Sequence, residues 1–310
     1  MLPSFFKRPN AAAWAIYSAF LFTFGGAVAK YLSSHGLTAE QLGFFRSVGA
    51  LGALAVGIIF SGRSILAELR QINNLMWFSI RCGTGLLAGY CILYAWTSGQ
   101  HLALINLIVM SRVLFMQGAA MMLLGERASW RVWSAVVAGL IGVIVTVYPA
   151  LSVGLDLGII AALAGAMLSA VSLAAVRRLT STNPAHLIVL VFMAASALGM
   201  APLAYGAWVP FEIGGWVLAG LIAVGILAAG SQIATAKALA AAPLPYVSCF
   251  DYLTLPATAI VGWLVFGKEM TGADLIGAAL IVASATYLSF AEKSGSAAKG
   301  RASHRETATA

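Results

Sequence analysis

Ten runs of mostly apolar residues, each close to the length that crosses a bilayer, occupy nearly all of the 310-residue chain. They fall at roughly 12–31, 42–60, 75–96, 103–124, 130–148, 156–176, 187–205, 215–237, 246–266 and 272–290. A helix needs about 20 such residues, because each adds about 1.5 Å towards a hydrocarbon core about 30 Å thick. Hydrophobic residues make up 61% of the chain and charged residues 9%, too few polar side chains to coat a water-facing surface. That excludes a soluble enzyme, and it excludes disorder outside the polar tail. Period-two alternation is missing from the runs, which excludes an outer-membrane barrel. The sequence predicts an all-α integral membrane protein with ten transmembrane helices.

The connections between the runs are short and carry turn residues: Ser61-Gly62-Arg63, Asn73-Asn74, Gly125-Glu126-Arg127, Thr182-Asn183-Pro184 and Ala242-Pro243-Leu244-Pro245. Lys7-Arg8, an apolar stretch and Ala27-Val28-Ala29 imitate a signal peptide, but the stretch is longer than a signal core and nine more runs follow. An uncleaved first helix is expected. The net charge of +8 reads first as topology rather than as a nucleic-acid footprint. With the N-terminus inside, the inner segments hold Lys7, Arg8, Arg63, Arg70, Arg127, Arg131, Arg177, Arg178, Lys293, Lys299, Arg301 and Arg305, against Lys268 alone outside. Basic loops resist translocation, so both termini are predicted to be cytoplasmic, with residues 292–310 a disordered tail.

The chain also divides. The fourth run leads into Gly125-Glu126-Arg127 and the ninth into Gly267-Lys268-Glu269, with Glu126 and Glu269 143 residues apart and each turn followed by one final helix. Five helices is an odd number, so a second copy must be inserted upside down, as in many secondary transporters. Residues 1–150 and 151–291 are read as two inverted five-helix repeats, with Glu126 and Glu269 as structural turns.

Three stretches carry a family resemblance: KYLSSHGLTAEQLGFFRS at 30–47, LLGERASWRVWSAVVAGLIGVIVTVYP at 123–149, and GSQIATAKALAAAPLPYVSCFDYLTLPATAIVGWLVFGKE at 230–269. They resemble the EamA-type ten-helix branch of the drug/metabolite transporter superfamily, closest to its riboflavin and S-adenosylmethionine transporter clade. Phe45-Arg46, the Gly-Glu-Arg turn and Phe250-Asp251-Tyr252 are the more specific marks. Relatives in that clade often carry an acid in helix one and a proline in helix four, where this chain reads Phe24-Gly25-Gly26-Ala27 and Ser111-Arg112-Val113.

Charges inside the runs point to function, since each costs about 2.5–3.5 kcal/mol on insertion scales unless it finds a partner, a wet cavity or an interface. Five cations remain once loops and tail are set aside: Lys30, Arg46, Arg81, Arg112 and Lys237, against one acid, Asp251. Lys30 and Lys237 sit at helix ends, where they can snorkel or, with Asp251, take part in gating or coupling. Arg46 and Arg81 lie one to two turns inside and can reach an interface, though the resemblance marks Arg46 for a role. Arg112, near the middle of helix four, is the best candidate for a cavity residue, against a reading in which it binds carbonyls at a broken helix. Asp251 has three readings: a gating ion pair with Lys237, a carboxylate that exchanges protons, or a tie between helices. Gln232 stands at cavity depth, and Tyr252 can stack on a flat substrate. Glycines such as Gly85, Gly89, Gly139, Gly142, Gly220, Gly225 and Gly230 are expected to let helices within the chain approach closely.

The cation excess points to a substrate with an anionic or electron-rich group, which arginine grips and stacks on. Scattered histidines, with neither H-E-x-x-H nor paired acids, leave no reaction centre, and no Walker loop is present. The chain is read as a secondary transporter of a small organic metabolite in the inner membrane, working by alternating access, with no cofactor, metal or catalytic residue expected. Protons remain candidate co-substrates. The substrate is read as riboflavin-like or carboxylate-bearing, with an amino acid or S-adenosylmethionine exporter of the same fold as the alternative.

Overall fold

In a bilayer every backbone N–H and C=O must be satisfied within the chain, which leaves an apolar sequence without strand alternation only one solution, the helix bundle. The computed structural model describes residues 8–62, 64–97, 105, 108–147, 157–212, 214–266, 272, 275–284 and 286–287, and they are helical wherever they are regular. In chain order the helices are α1 (Arg8–Ser34), α2 (Ala39–Phe60), a short α3 (Ile65–Leu69), α4 (Leu75–Thr97) and α5 (Ile108–Leu124). They continue with α6 (Trp130–Val147), α7 (Leu157–Leu179), α8 (Ala185–Gly206), α9 (Gly215–Ala241), α10 (Leu244–Ser248), α11 (Thr254–Phe266) and α12 (Leu275–Ser284).

Seven segments among the described residues are long and apolar enough to cross a membrane: α1, α2, α4, α7, α8, α9 and the run Leu244–Leu264 that joins α10 to α11. Three shorter apolar helices, Ile108–Leu124, Trp130–Gly142 and Leu275–Ser284, fall where the fourth, fifth and tenth crossings are expected. Helix ends follow local chemistry. Thr38 and Gln41 form a capping box at the start of α2, each side chain accepting the other's backbone N–H. Gly125 stops α5 in the left-handed conformation, φ +68°, the conformation that glycine adopts without a Cβ clash.

Two interfaces dominate the bundle: α1 lies along α9, and α4 lies along α7. Helix α2 packs on α8 and α9, while α4 also touches α8. At the α2–α9 crossing the two backbones meet, since a Cβ added to Gly225 would lie 2.5 Å from the Gly49 carbonyl carbon. Glycine on both sides lets the axes approach so far, as in small-residue crossings of membrane helices generally.

Both ends of the bundle are tied across. At one end Gln41 Nε2 donates to the Val209 carbonyl at 2.7 Å, beside an aromatic cluster of Phe45, Trp208 and Phe211. At the other end the Asn73 amide donates to Asn183 Oδ1 and Asn183 Nδ2 returns a bond to the Asn73 carbonyl, both at 3.0 Å, while Asn74 donates to Thr182 Oγ1 at 2.9 Å. Glu68 of α3, only 3% exposed, meets His186 Nε2 at 2.9 Å in the same region.

The α2–α9 crossing gives a direct test. Gly225→Ala is expected to lower unfolding stability in detergent by about 1–3 kcal/mol, the usual range for overpacking. Gly262→Ala, where an added Cβ meets nothing within 4 Å, should leave it unchanged.

Candidate functional site

Two groups of polar side chains within the bundle involve its interior arginines. The first lies between α5 and the segment joining α10 to α11. Helix α5 is interrupted at Ser111, whose hydroxyl donates to the Ile108 carbonyl, and Arg112 starts the regular turn beyond it. Opposite, the chain between α10 and α11 tightens into a 3₁₀ turn, Cys249–Leu253, that carries Asp251. Arg112 Nη2 stands 3.3 Å from Asp251 Oδ2, with the two side chains 20% and 27% exposed. Contact is made without hydrogen-bond geometry: Arg112 Nε and Asp251 Oδ2 both lack a hydrogen-bond partner. The pair is therefore closed electrostatically but not locked by directed bonds.

Of the three readings of Asp251, the pairing with Lys237 is not the contact seen, since Asp251 faces Arg112. Helix α9 runs on to Ala241, and Lys237 turns toward α1, its Nζ 4.2 Å from the ring centroid of Trp14. A cation over an indole face is electrostatically favoured and spares the ammonium a carboxylate. Lys237 also lines a cavity of ≈ 520 Å³ together with Thr180, Asn183, His186 and Ile233. Tyr252 is fully buried, its ring filling the place of a side chain at Gly139 of α6, where an added Cβ would come within 2.4 Å. Its hydroxyl finds no partner among the described residues.

The second place is centred on Arg81 of α4, which is only 5% exposed. The expectation that it reaches an interface is corrected. Its Nη1 donates to Ser172 Oγ of α7 at 2.7 Å and its Nη2 to Gln232 Oε1 of α9 at 3.0 Å. Its Cζ lies 3.7 Å from the ring centroid of Phe192 of α8. Gln232, expected at cavity depth, is thus held by a guanidinium that joins four helices. Arg46 of α2 is half-buried one turn from Gly49 and makes no hydrogen bond or ion pair among the described residues. Lys30 is exposed near the end of α1. Glu269 and the tail lie outside the described residues.

Glu126 follows the Gly125 turn. Its Oε1 accepts from Arg177 Nε at 2.8 Å and its Oε2 from the Leu244 amide at 2.8 Å, while Arg177 Nη1 donates to the Leu239 carbonyl at 2.6 Å. One carboxylate so accepts from the first amide of α10, and its arginine partner donates to a carbonyl at the end of α9. Arg177 was visible in the sequence only as a cytoplasmic charge, and Ser172 and Phe192 carried no signal at all. The depth of Arg81, nearly two turns inside its run, was the clue to the second cluster.

Comparison with known proteins follows the same lines. Residues 156–290 match the model of the EamA-like transporter family. A riboflavin transporter of Rhizobium johnstonii is 33% identical over 184 residues, 58% of this chain and 59% of that protein. A riboflavin transporter of Vibrio cholerae serotype O1 is 26% identical over 289 residues, 90% of this chain and 92% of that protein. A crystal structure with 18% identity superposes with a TM-score of 0.78, covering 92% of this chain and 99% of the other, which shows a shared fold. Seven segments among the described residues are long and apolar enough to cross a membrane, and the relatives found are named as transporters.

Removing the Glu126 carboxylate leaves a buried amide and a guanidinium without their acceptor. Glu126→Ala is expected to destabilise the purified protein by about 1–3 kcal/mol, read as a lowered unfolding midpoint in detergent, with Glu126→Gln falling between it and the parent.

Proposed function

We propose that the chain is a secondary carrier that moves a small organic metabolite across the inner membrane by alternating access, without ATP. In this reading residues 1–150 and 151–291 are two inverted five-helix repeats making ten crossings, and both termini and the tail at 292–310 face the cytoplasm. The observation that carries it is the pair of clasps at the two ends of the bundle. Inversion places the α1–α2 connection in the role of the α7–α8 connection, and the loop between α2 and α4 in the role of the loop between α8 and α9. The Gln41–Val209 and Asn73–Asn183 clasps are then counterparts. By the same rule α1 on α9 is the counterpart of α4 on α7, the two dominant interfaces. A molecule that closes by similar devices at both ends can open either while the other holds.

The substrate cavity lies between the halves, with Arg112, Arg46, Gln232, Asp251 and Tyr252 as its binding residues. Asp251 also gates or couples, because its contact with Arg112 lacks directed bonds and can be exchanged for contact with substrate or a proton. Lys237 and Lys30 serve the two mouths. Cations outnumber acids within the spans, and two relatives are named riboflavin transporters. Together these support a riboflavin-like or carboxylate-bearing substrate.

Purified protein in liposomes is expected to take up labelled riboflavin saturably. Arg112→Ala should lower kcat/KM at least about tenfold, the equivalent of about 1.4 kcal/mol. Asp251→Asn should flatten any response to an imposed pH gradient. Uptake of S-adenosylmethionine or amino acids in place of riboflavin would transfer the substrate assignment to the exporters of this fold, and full activity of both variants would remove the ion pair from the mechanism.

A further inference from the structure

Arg81 is the most deeply buried cation among the described side chains, and no carboxylate among the described residues lies within ion-pair distance of it. A guanidinium keeps its charge at any accessible pH, so its position in the bundle must be balanced by what surrounds it. What surrounds it is neutral: Ser172 Oγ, Gln232 Oε1 and the face of Phe192. Its Nε has no partner. Arg112, by contrast, has its counter-charge beside it in Asp251.

The neutral partners are placed with care. A Cβ at Gly85, one turn along α4, would lie 2.6 Å from the Phe192 ring and 2.9 Å from Ser172 Oγ, so the glycine keeps open the space that both occupy. Ser172 Oγ also donates to the Arg81 carbonyl at 3.0 Å, which fixes the hydroxyl from both sides. Phe192 covers one face of the guanidinium, and Gln232 and Ser172 pin its two terminal nitrogens in a plane. The Nε hydrogen lies in that plane. A cation held flat, stacked on one side, short of a counter-charge and with an in-plane donor unfilled matches a planar group presenting two oxygen acceptors.

We propose that Arg81 is a specificity-determining residue of the substrate site, binding through its in-plane N–H edge a planar two-oxygen group of the substrate while Phe192 and Gln232 hold the guanidinium flat. The inference rests on the transporter reading above and adds the residue that selects the cargo. A carboxylate and the dicarbonyl edge of a heterocycle both present this chemistry, so two probes separate them: labelled nicotinate for the first and labelled riboflavin for the second.

Full-length protein in liposomes is offered each probe in turn. Gln232→Glu keeps the shape and the contact with Arg81 but supplies the missing counter-charge, so it competes with the substrate's oxygens. Arg81→Lys keeps the charge and loses the planar edge. For whichever probe the parent moves, both variants are expected to raise KM at least tenfold with Vmax changed less than twofold, and Gln232→Glu should unfold at the same temperature as the parent or higher. A purely structural Arg81 predicts the opposite split, with a parental KM and a lowered unfolding temperature in Arg81→Lys, and that result overturns the proposal. Should either variant misfold, Phe192→Leu gives the same reading, with a raised KM supporting the proposal and a parental KM overturning it. If the parent moves neither probe, the substrate reading fails and this inference falls with it; if it moves one and KM is indifferent to all three variants, only the inference falls.

Discussion

The carboxylate of Glu126 divides its two oxygens between Arg177 and the first amide of α10, and Arg177 passes the connection on to a carbonyl at the end of α9. Helix ends are the weak points of any membrane bundle, because the last amides and carbonyls have no partner within their own helix. Here two such ends, the last turn of α7 and the turn after α5 share one charged network. The Pro243 and Pro245 that bracket the start of α10 could not continue α9 as a helix, so the chain must break there, and the Glu126–Arg177 pair satisfies the break. Arg112 and Asp251 lie on the two elements that this network anchors, α5 and the segment after α10, and their separation depends on it.

The interior cations show three solutions to one problem. Arg112 is given a carboxylate but poor hydrogen-bond geometry, while Arg81 is given good geometry but no carboxylate. Lys237 takes a third route, resting on an indole ring. Charge inside hydrocarbon is costly enough that each arrangement constrains the surrounding helices, and those three side chains account for contacts among α1, α4, α5, α7, α8 and α9.

Much of the architecture was legible in the apolar runs, because run length is a direct measure of bilayer thickness. Helices α2, α4, α7, α8 and α9 lie where runs of that length were found. Their ends were less legible. The alanines after Lys237 are strong helix formers and carry α9 on to Ala241, so the lysine sits a turn inside its helix and faces α1 instead of Asp251. The 3₁₀ turn at Cys249–Leu253 left no mark in an apolar run, and it is that turn which presents Asp251 to α5. At the candidate site, residue type singled out Arg112 and Asp251 separately, but their contact joins positions 139 residues apart and follows only from packing. Arg81 was read as able to reach an interface because its partners, a serine, a glutamine and a phenylalanine, are ordinary residues whose convergence from three helices has no sequence signature.

The close approach of Gly49 and Gly225 falls at the middle of α2, a helix about 33 Å long at 1.5 Å per residue. With no side chain between the backbones, the crossing is a smooth bearing that neither helix can climb over but on which either can tilt. A tilt about a midpoint has equal arms of about 16 Å. Whatever distance the Gln41 end of α2 moves from its neighbour, the Phe60 end moves as far in the opposite sense. In the carrier proposed above, such a tilt would gear opening at one membrane face to closure at the other, with a ratio set by where in the sequence the glycine stands.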